Sequence, residues 1–366
     1  PASPFACNVE QESPYDSGTP YLGIHADPGN SDVVSCTTAN TFEEVWHVLK
    51  GHAIPQPNTF SPNNETTYVT AFPNADDPCT LFALNTTTGE TLWCKDLPRS
   101  IAGGSVEVDE DGHLYVVADA MVYSFESDGT TRWQRPLDGA DGNNQAFRTF
   151  GLHFTQGGYI ATVALPGVVF LLDRSDGSIV TEFDIAEEYN FVPPQPRLPD
   201  AFDLMNLFPE SSVGDFVTAF GSRDAANTTL GNFLGVSGNF TDNTIGISLR
   251  DELYVQSGGP TSEDGTIVQL TIQETDDGVR LQKGWYVLAS GGSAASPSIS
   301  KNGRFMVMSD GAATSTALSQ GGGDAFVLLV DIESCNANSD ADAASNLRSN
   351  SVCTSSLNRF TTAFGL

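Results

Sequence analysis

The run Leu81-Phe-Ala-Leu-Asn-Thr-Thr-Thr-Gly-Glu-Thr-Leu-Trp93 joins two stretches of β-forming residues through a Thr-Gly turn and ends on a tryptophan. The glycine supplies the positive φ that a tight hairpin needs. Upstream, Thr66-Thr-Tyr-Val-Thr-Ala-Phe72 adds a further strand. The pattern then recurs as His113-Leu-Tyr-Val-Val-Ala-Asp119, Ala120-Met-Val-Tyr-Ser-Phe125, Ser127-Asp-Gly129 and Thr130-Thr-Arg-Trp-Gln-Arg-Pro-Leu137. Trp93 and Trp133 lie forty residues apart, each four residues after a glycine. A period of that length in short strands is the signature of a four-stranded propeller blade.

A third unit keeps the pattern without the tryptophan: Tyr159-Ile-Ala-Thr-Val-Ala-Leu165, Gly167-Val-Val-Phe-Leu-Leu-Asp173, Ser175-Asp-Gly177 and Ser178-Ile-Val-Thr-Glu-Phe-Asp-Ile185. A fourth reads Glu252-Leu-Tyr-Val-Gln256, Thr266-Ile-Val-Gln-Leu-Thr-Ile272, Asp276-Asp-Gly278 and a strand containing Trp285. The fifth offers Ser296-Pro-Ser-Ile-Ser300, Arg304-Phe-Met-Val-Met308 and Ala325-Phe-Val-Leu-Leu-Val-Asp331, with no fourth strand in sight. The short runs Gly104-Ser-Val-Glu-Val108 and Ser296-Pro-Ser-Ile-Ser300 are rich in small residues, as innermost strands at a crowded centre should be. The expectation is an all-β protein, a β-propeller of four-stranded antiparallel blades. At least five blades are expected, or six or seven if residues 186–250 or the tail after Cys335 hold another. Phe42-Glu-Glu-Val-Trp-His-Val-Leu-Lys50 alternates like a fourth strand, so residues 43–50 are expected to pair with Ala325 to Asp331 and close the ring.

The segment from Leu81 to Trp93 resembles the tryptophan-docking repeat of the pyrroloquinoline-quinone dehydrogenases and their cofactor-free relatives, the quinoprotein-like propellers. The likeness is good over residues 66–137, holds to 185 and fades from 240 to 331. The resemblance implies the blade and not an activity. A quinone dehydrogenase of that kind has about eight blades, a calcium-bound cofactor on the axis, a catalytic aspartate and, in many members, adjacent cysteines. This sequence repeats too few times and has no Cys-Cys, so no cofactor-binding residue is assigned.

The chain divides into an N-terminal extension (1–40), a propeller (41–335) with a long inter-blade insertion at 186–240, and a C-terminal tail (336–366). Its six cysteines form three local pairs without the CxxC spacing of zinc or redox sites. Cys79 and Cys94 lie at the open ends of one hairpin and are expected to bond. Pairing Cys7 with Cys36 and Cys335 with Cys353 would staple the two ends, although a bond between the termini also fits the count. Glycosylation acceptors fall at Asn64, Asn85, Asn227 and Asn239. With the even cysteine count they point to a secreted, extracellular protein.

Sixteen Lys+Arg against 46 Asp+Glu leave a formal charge of −30 over 366 residues, which repels nucleic acid and anionic membranes. No apolar run is long enough to span a bilayer, so no membrane insertion is expected. The five histidines, His25, His47, His52, His113 and His153, show no paired metal spacing. Asn336, Asn338, Asp340 and Asp342 put oxygen side chains at alternate positions and are the candidate calcium ligands, without the glycine and terminal glutamate of an EF-hand loop. No nucleophile elbow or phosphate-binding glycine loop occurs, and no catalytic residue is assigned. Strand order places the insertions 73–78, 187–239, 258–265 and 310–324 on one face, with Asn64 and Asn85 on the other. The expected role is a non-catalytic extracellular interaction or structural scaffold, with protein partners or self-association. The alternatives are a secreted enzyme, either a degenerate quinoprotein or a saccharide-acting hydrolase, and a carbohydrate- or calcium-binding module.

Overall fold

The computed structural model describes residues 25–30, 43–137 apart from 55, 74–76, 99–103 and 105, and 149–192 apart from 150 and 165–166. It further describes 213–214, 217, 222–224, 226–227, 244–310 apart from 263, 277 and 290–295, then 325–337, 353 and 357–362. Twenty strands form five four-stranded sheets, each antiparallel and in simple up-and-down order. Blade one is β1 (Thr59–Phe60), β2 (Thr66–Thr70), β3 (Leu81–Asn85) and β4 (Thr91–Lys95). Blade two is β5 (Glu107–Val108), β6 (Leu114–Ala118), β7 (Met121–Phe125) and β8 (Thr131–Pro136). Blade three is β9 (Leu152–Phe154), β10 (Tyr159–Ala164), β11 (Val168–Asp173) and β12 (Ile179–Asp184), followed by the one-turn helix α1 (Ile185–Tyr189). Blade four is β13 (Gly246–Ile247), β14 (Glu252–Gly258), β15 (Gly265–Thr275) and β16 (Gly278–Ala289). Blade five is β17 (Ser298–Ile299), β18 (Phe305–Asp310), β19 (Ala325–Asp331) and β20 (Leu357–Thr362). The all-β propeller with at least five blades is therefore the observed fold.

The first strand of each blade is the shortest, because little room is left beside the axis. A Cβ on Gly246 of β13 would meet Pro297 O at 2.8 Å. In the first four blades the second and third strands are largely buried, whereas in blade five they alternate, with Val307 exposed; the buried apolar residues pack between blades. Tyr68, Leu81 and Ala83 of blade one meet Leu114 and Val116 of blade two; Tyr115 and Val117 meet Phe154 and Phe170 of blade three. Blades three and four share Val169, Leu171, Leu253 and Val268, and blades four and five share Trp285, Val287, Met306 and Leu328. A register shift opens beside the outer hairpin of the first three blades, at Ala83/Leu84, Ser124/Phe125 and Leu171/Leu172, and re-aims the outer strand.

That re-aiming serves the tryptophans. Trp93 of blade one lies on the outer-hairpin glycine of blade two, and Trp133 of blade two on that of blade three. A Cβ at Gly129 would sit 3.0 Å from Trp93, and one at Gly177 2.5 Å from Trp133. Each indole also donates to a carbonyl of the turn it covers, Trp93 Nε1 to Ser127 O at 2.9 Å and Trp133 Nε1 to Arg174 O at 3.2 Å. The series lapses at blade three, where Thr181 stands in the tryptophan's place. Trp285, fully buried in blade four, donates instead to Asn336 Oδ1 at 2.7 Å.

Ring closure through residues 43–50 is not what the structure shows. Ala325–Asp331 pairs with β20, in register from Ala325↔Thr362 to Val330↔Leu357. The fourth strand of blade five is thus drawn from the segment 336–366. Residues 43–50 form no strand, yet Trp46 among them covers Gly89 of blade one, its indole 2.8 Å from where a Cβ would stand. Trp46 Nε1 donates to Thr86 O at 3.0 Å. Trp46 and Val48 face blade one as the alternation implies, but Leu49 packs beside Val48 and not on the side of Val45 and His47, and alternation carries no information about which edge finds a partner.

Candidate functional site

The inner strands converge on residues 25–30, which lie across the centre and satisfy their outstanding backbone groups. Ile247 N–H donates to Pro28 O and Ile299 N–H to Gly29 O, both at 2.7 Å. The Asn30 amide donates to Ile245 O (3.2 Å) and Pro297 O (2.9 Å), tying blades four and five. With its NH2 committed to two carbonyls, Asn30 presents Oδ1 to His153 Nε2 of β9 at 2.9 Å. That nitrogen must therefore carry the proton, which leaves Nδ1 as the lone-pair side of a neutral ring.

His153 Nδ1 faces Glu107 Oε1 of β5 at 2.8 Å, with both side chains almost wholly buried. The contact is off the hydrogen-bonding direction, and neither atom has another partner. Burial pushes the Glu107 carboxyl well above its ordinary range, with the Asp27 charge acting the same way. Burial lowers His153 to about 4, opposed by Asp27. Both directions agree with the hydrogen bonding: a protonated carboxyl beside a neutral imidazole. This buried acid and imidazole in contact at the hub are the most chemically distinctive feature among the described residues. Sequence reasoning missed them. The available signal was the charged residue inside the otherwise small, apolar run from Gly104 to Val108.

The quinone implied by the family resemblance would need this axial space. Here Pro28, Gly29 and Asn30 fill it and use its hydrogen-bonding groups, so the described residues do not fit such a cofactor.

The other buried carboxylates serve as struts. Asp109 Oδ1 accepts from the Asp111 and His113 N–H groups, while Oδ2 meets His113 Nδ1 at 3.0 Å and Tyr115 OH at 2.9 Å. Arg174 of blade three reaches back to Glu110 of blade two in a two-pronged pair at 2.8 and 3.0 Å. In blade four, Glu252 collects Ser248, Arg250 and Tyr254 on Oε2 and Gln269 and Asn336 on Oε1. A polar groove of about 640 Å³ runs between blades one and two beside Ser61, Tyr68, Trp93, Glu110 and Asp128.

Of the sequence-predicted residues, Cys79 and Cys94 are bonded with Cα atoms 5.8 Å apart, and Cys335 and Cys353 with Cα atoms 5.4 Å apart. Cys7 and Cys36 lie outside the described residues. Asn336 is spent on Trp285, Gln269 and Glu252 inside the fold, and its expected co-ligands Asn338, Asp340 and Asp342 lie outside the described residues. Asn64 is exposed with φ 58°, and Asn85 Oδ1 caps the Thr87 and Thr88 N–H groups of its turn. Asn227 is half-buried, and Asn239 lies outside the described residues. His47 is exposed; His52 packs edge-on against Phe82 with Nδ1 at 3.0 Å from Phe72 O. Val192 at the start of the long insertion bridges Gly259 in the β14–β15 loop. No helix among the described residues is long and apolar enough to cross a membrane.

Residues 30–191 match the family model described as outer membrane protein assembly factor BamB. No curated protein matches the chain in sequence. Among solved structures, BamB from Moraxella catarrhalis is similar at 11% identity and a TM-score of 0.39, over 75% of this chain and 57% of that one. The quinohemoprotein alcohol dehydrogenase ADHIIG from Pseudomonas putida HK5 is similar at 15% identity and a TM-score of 0.32, over 62% of this chain and 39% of that one. The chain thus spans little more than half the length of the first and well under half of the second. Together, the recurring strand–turn–tryptophan unit, the docking of successive tryptophans on the next blade's glycine and the family match over residues 30–191 make this chain a β-propeller whose first three blades are similar to the PQQ-repeat family.

Proposed function

We infer that the protein is a non-catalytic, secreted propeller that acts as an extracellular interaction or structural scaffold, through protein partners or through its own copies. The observation that carries this reading is the filled axis. Where a quinoprotein would bind its cofactor, residues 25–30 bridge inner strands of several blades, which suits a rigid body that presents its outer surfaces. The matched family bears the description of an assembly factor, which is consistent with a propeller at work among other proteins. Two disulfides suit an oxidising compartment, and glycans on Asn64, Asn85, Asn227 and Asn239 would accompany secretion. The charge of −30 favours basic partner surfaces.

The test is isolation of the native protein, followed by sedimentation and chemical cross-linking, alongside an assay for dye-linked alcohol oxidation with added quinone and calcium. A stable complex, with itself or another protein, and no quinone-dependent turnover is the expected result. A monomer that binds the quinone and turns over would overturn it.

A further inference from the structure

Trp46 occupies, against blade one, the place that Trp93 occupies against blade two and Trp133 against blade three. All three indoles cover the outer-hairpin glycine and donate to a carbonyl of its turn. In the second and third cases the tryptophan belongs to the outer strand of the preceding blade. Trp46 has no such blade: β20 already fills the outer position of blade five. Within the segment Trp46, Val48 and Leu49 are half-buried, and Glu43, Glu44, Val45 and His47 are exposed. Val48 and Leu49 cover Val69, Phe82 and Leu84, so this side of the strand is fixed. Val45 on the opposite side is 77% exposed.

β4, β8 and β12 each end their sheet and pair along one edge. Residues 43–48 pair along neither edge within the described chain. A segment anchored by its side chains, with the backbone groups of 43–48 unpaired among the described residues, is a template for strand addition. Its first two residues, Glu43 and Glu44, are acidic, on a molecule whose charge is −30. We propose that residues 43–48 are the docking edge for a β-strand of a partner protein that carries lysine or arginine beside alternating apolar residues. That strand takes the place which the third strand of a blade takes beside its tryptophan-bearing fourth. This names the partner surface of the interaction role proposed above and rests on that role for its purpose.

The test uses the full chain and a synthetic peptide with two lysines ahead of the sequence Thr80-Leu-Phe-Ala-Leu-Asn85, this protein's own partner for a tryptophan-bearing strand. Amide hydrogen exchange across 43–48 should be fast in the protein alone and slow by about tenfold or more with peptide. Val45→Pro should abolish the protection, and the pair Glu43→Lys and Glu44→Lys should weaken binding about tenfold. The proposal falls if these amides are already protected without peptide, if protection appears at another segment, or if Val45→Pro binds as well as the parent. Any of those results alongside a stable native complex would remove this edge and leave the interaction role standing.

Discussion

Gly177 does two things that one residue type alone permits. Its φ of +71° is a conformation that side chains disfavour, and the space where its Cβ would be belongs to Trp133. Gly303 has nearly the same backbone, φ +68°, with nothing within 4 Å of a Cβ. The pair separates backbone strain from packing. Gly303→Ala should cost about 1–2 kcal/mol, the left-handed penalty alone. Gly177→Ala should cost about 1–3 kcal/mol more, because the indole is pushed off its seat. Urea unfolding of both variants checks this; equal losses would mean that the tryptophan contact contributes nothing beyond the turn. The sequence reveals the turn role through Asp-Gly and Thr-Gly pairs. It cannot reveal that a tryptophan forty-odd residues earlier needs the same glycine bare.

The outer strands show how much of the architecture is local. Blades one to three are readable because each strand lies within about ten residues of its partner, and turn residues mark the outer hairpins. The Cys79–Cys94 bond follows from the same hairpin; replacing both with serine should cost about 3 kcal/mol by the chain-entropy argument for a loop of 15 residues. Thermal and urea unfolding of the double variant measures it. Blade five is different. Leu357–Thr362 reaches β19 only after a long connection held by the Cys335–Cys353 bond. No turn signal joins the two strands, whereas residues 43–50 offer a cleaner alternation. Alternation identifies faces, but pairing depends on which edge comes near, and that is a long-range property. The structure therefore predicts that removing residues 357–366 exposes the apolar edge of Ala325–Asp331 and causes aggregation, seen as a rise in light scattering. An unchanged monomer would mean that β20 is dispensable to blade five.

Around the axis, residues from four blades and the 25–30 segment meet at a single buried acid and imidazole, so pH acts on the ring as a unit. Glu107 keeps a proton in the folded chain that the unfolded chain surrenders in the ordinary carboxylate range. Its contribution is therefore complete at low pH and is lost as pH rises through the raised value. His153 runs the opposite way. It is neutral when folded down to about 4, whereas the unfolded ring takes up a proton near 6.5, so its contribution is present above 6.5 and is lost as pH falls toward 4. Between the two ordinary values the effects oppose one another; above 6.5 only the Glu107 loss remains. Glutamine keeps the shape of the protonated acid and can still face His153 Nδ1, but it has no proton to lose. Glu107→Gln should accordingly lack the decline in melting temperature that the parent shows as pH rises above 6.5, where only the Glu107 loss remains. If the two profiles run parallel on that alkaline side, Glu107 is already ionised in the folded chain, and His153 must carry the proton between Glu107 and Asn30 instead.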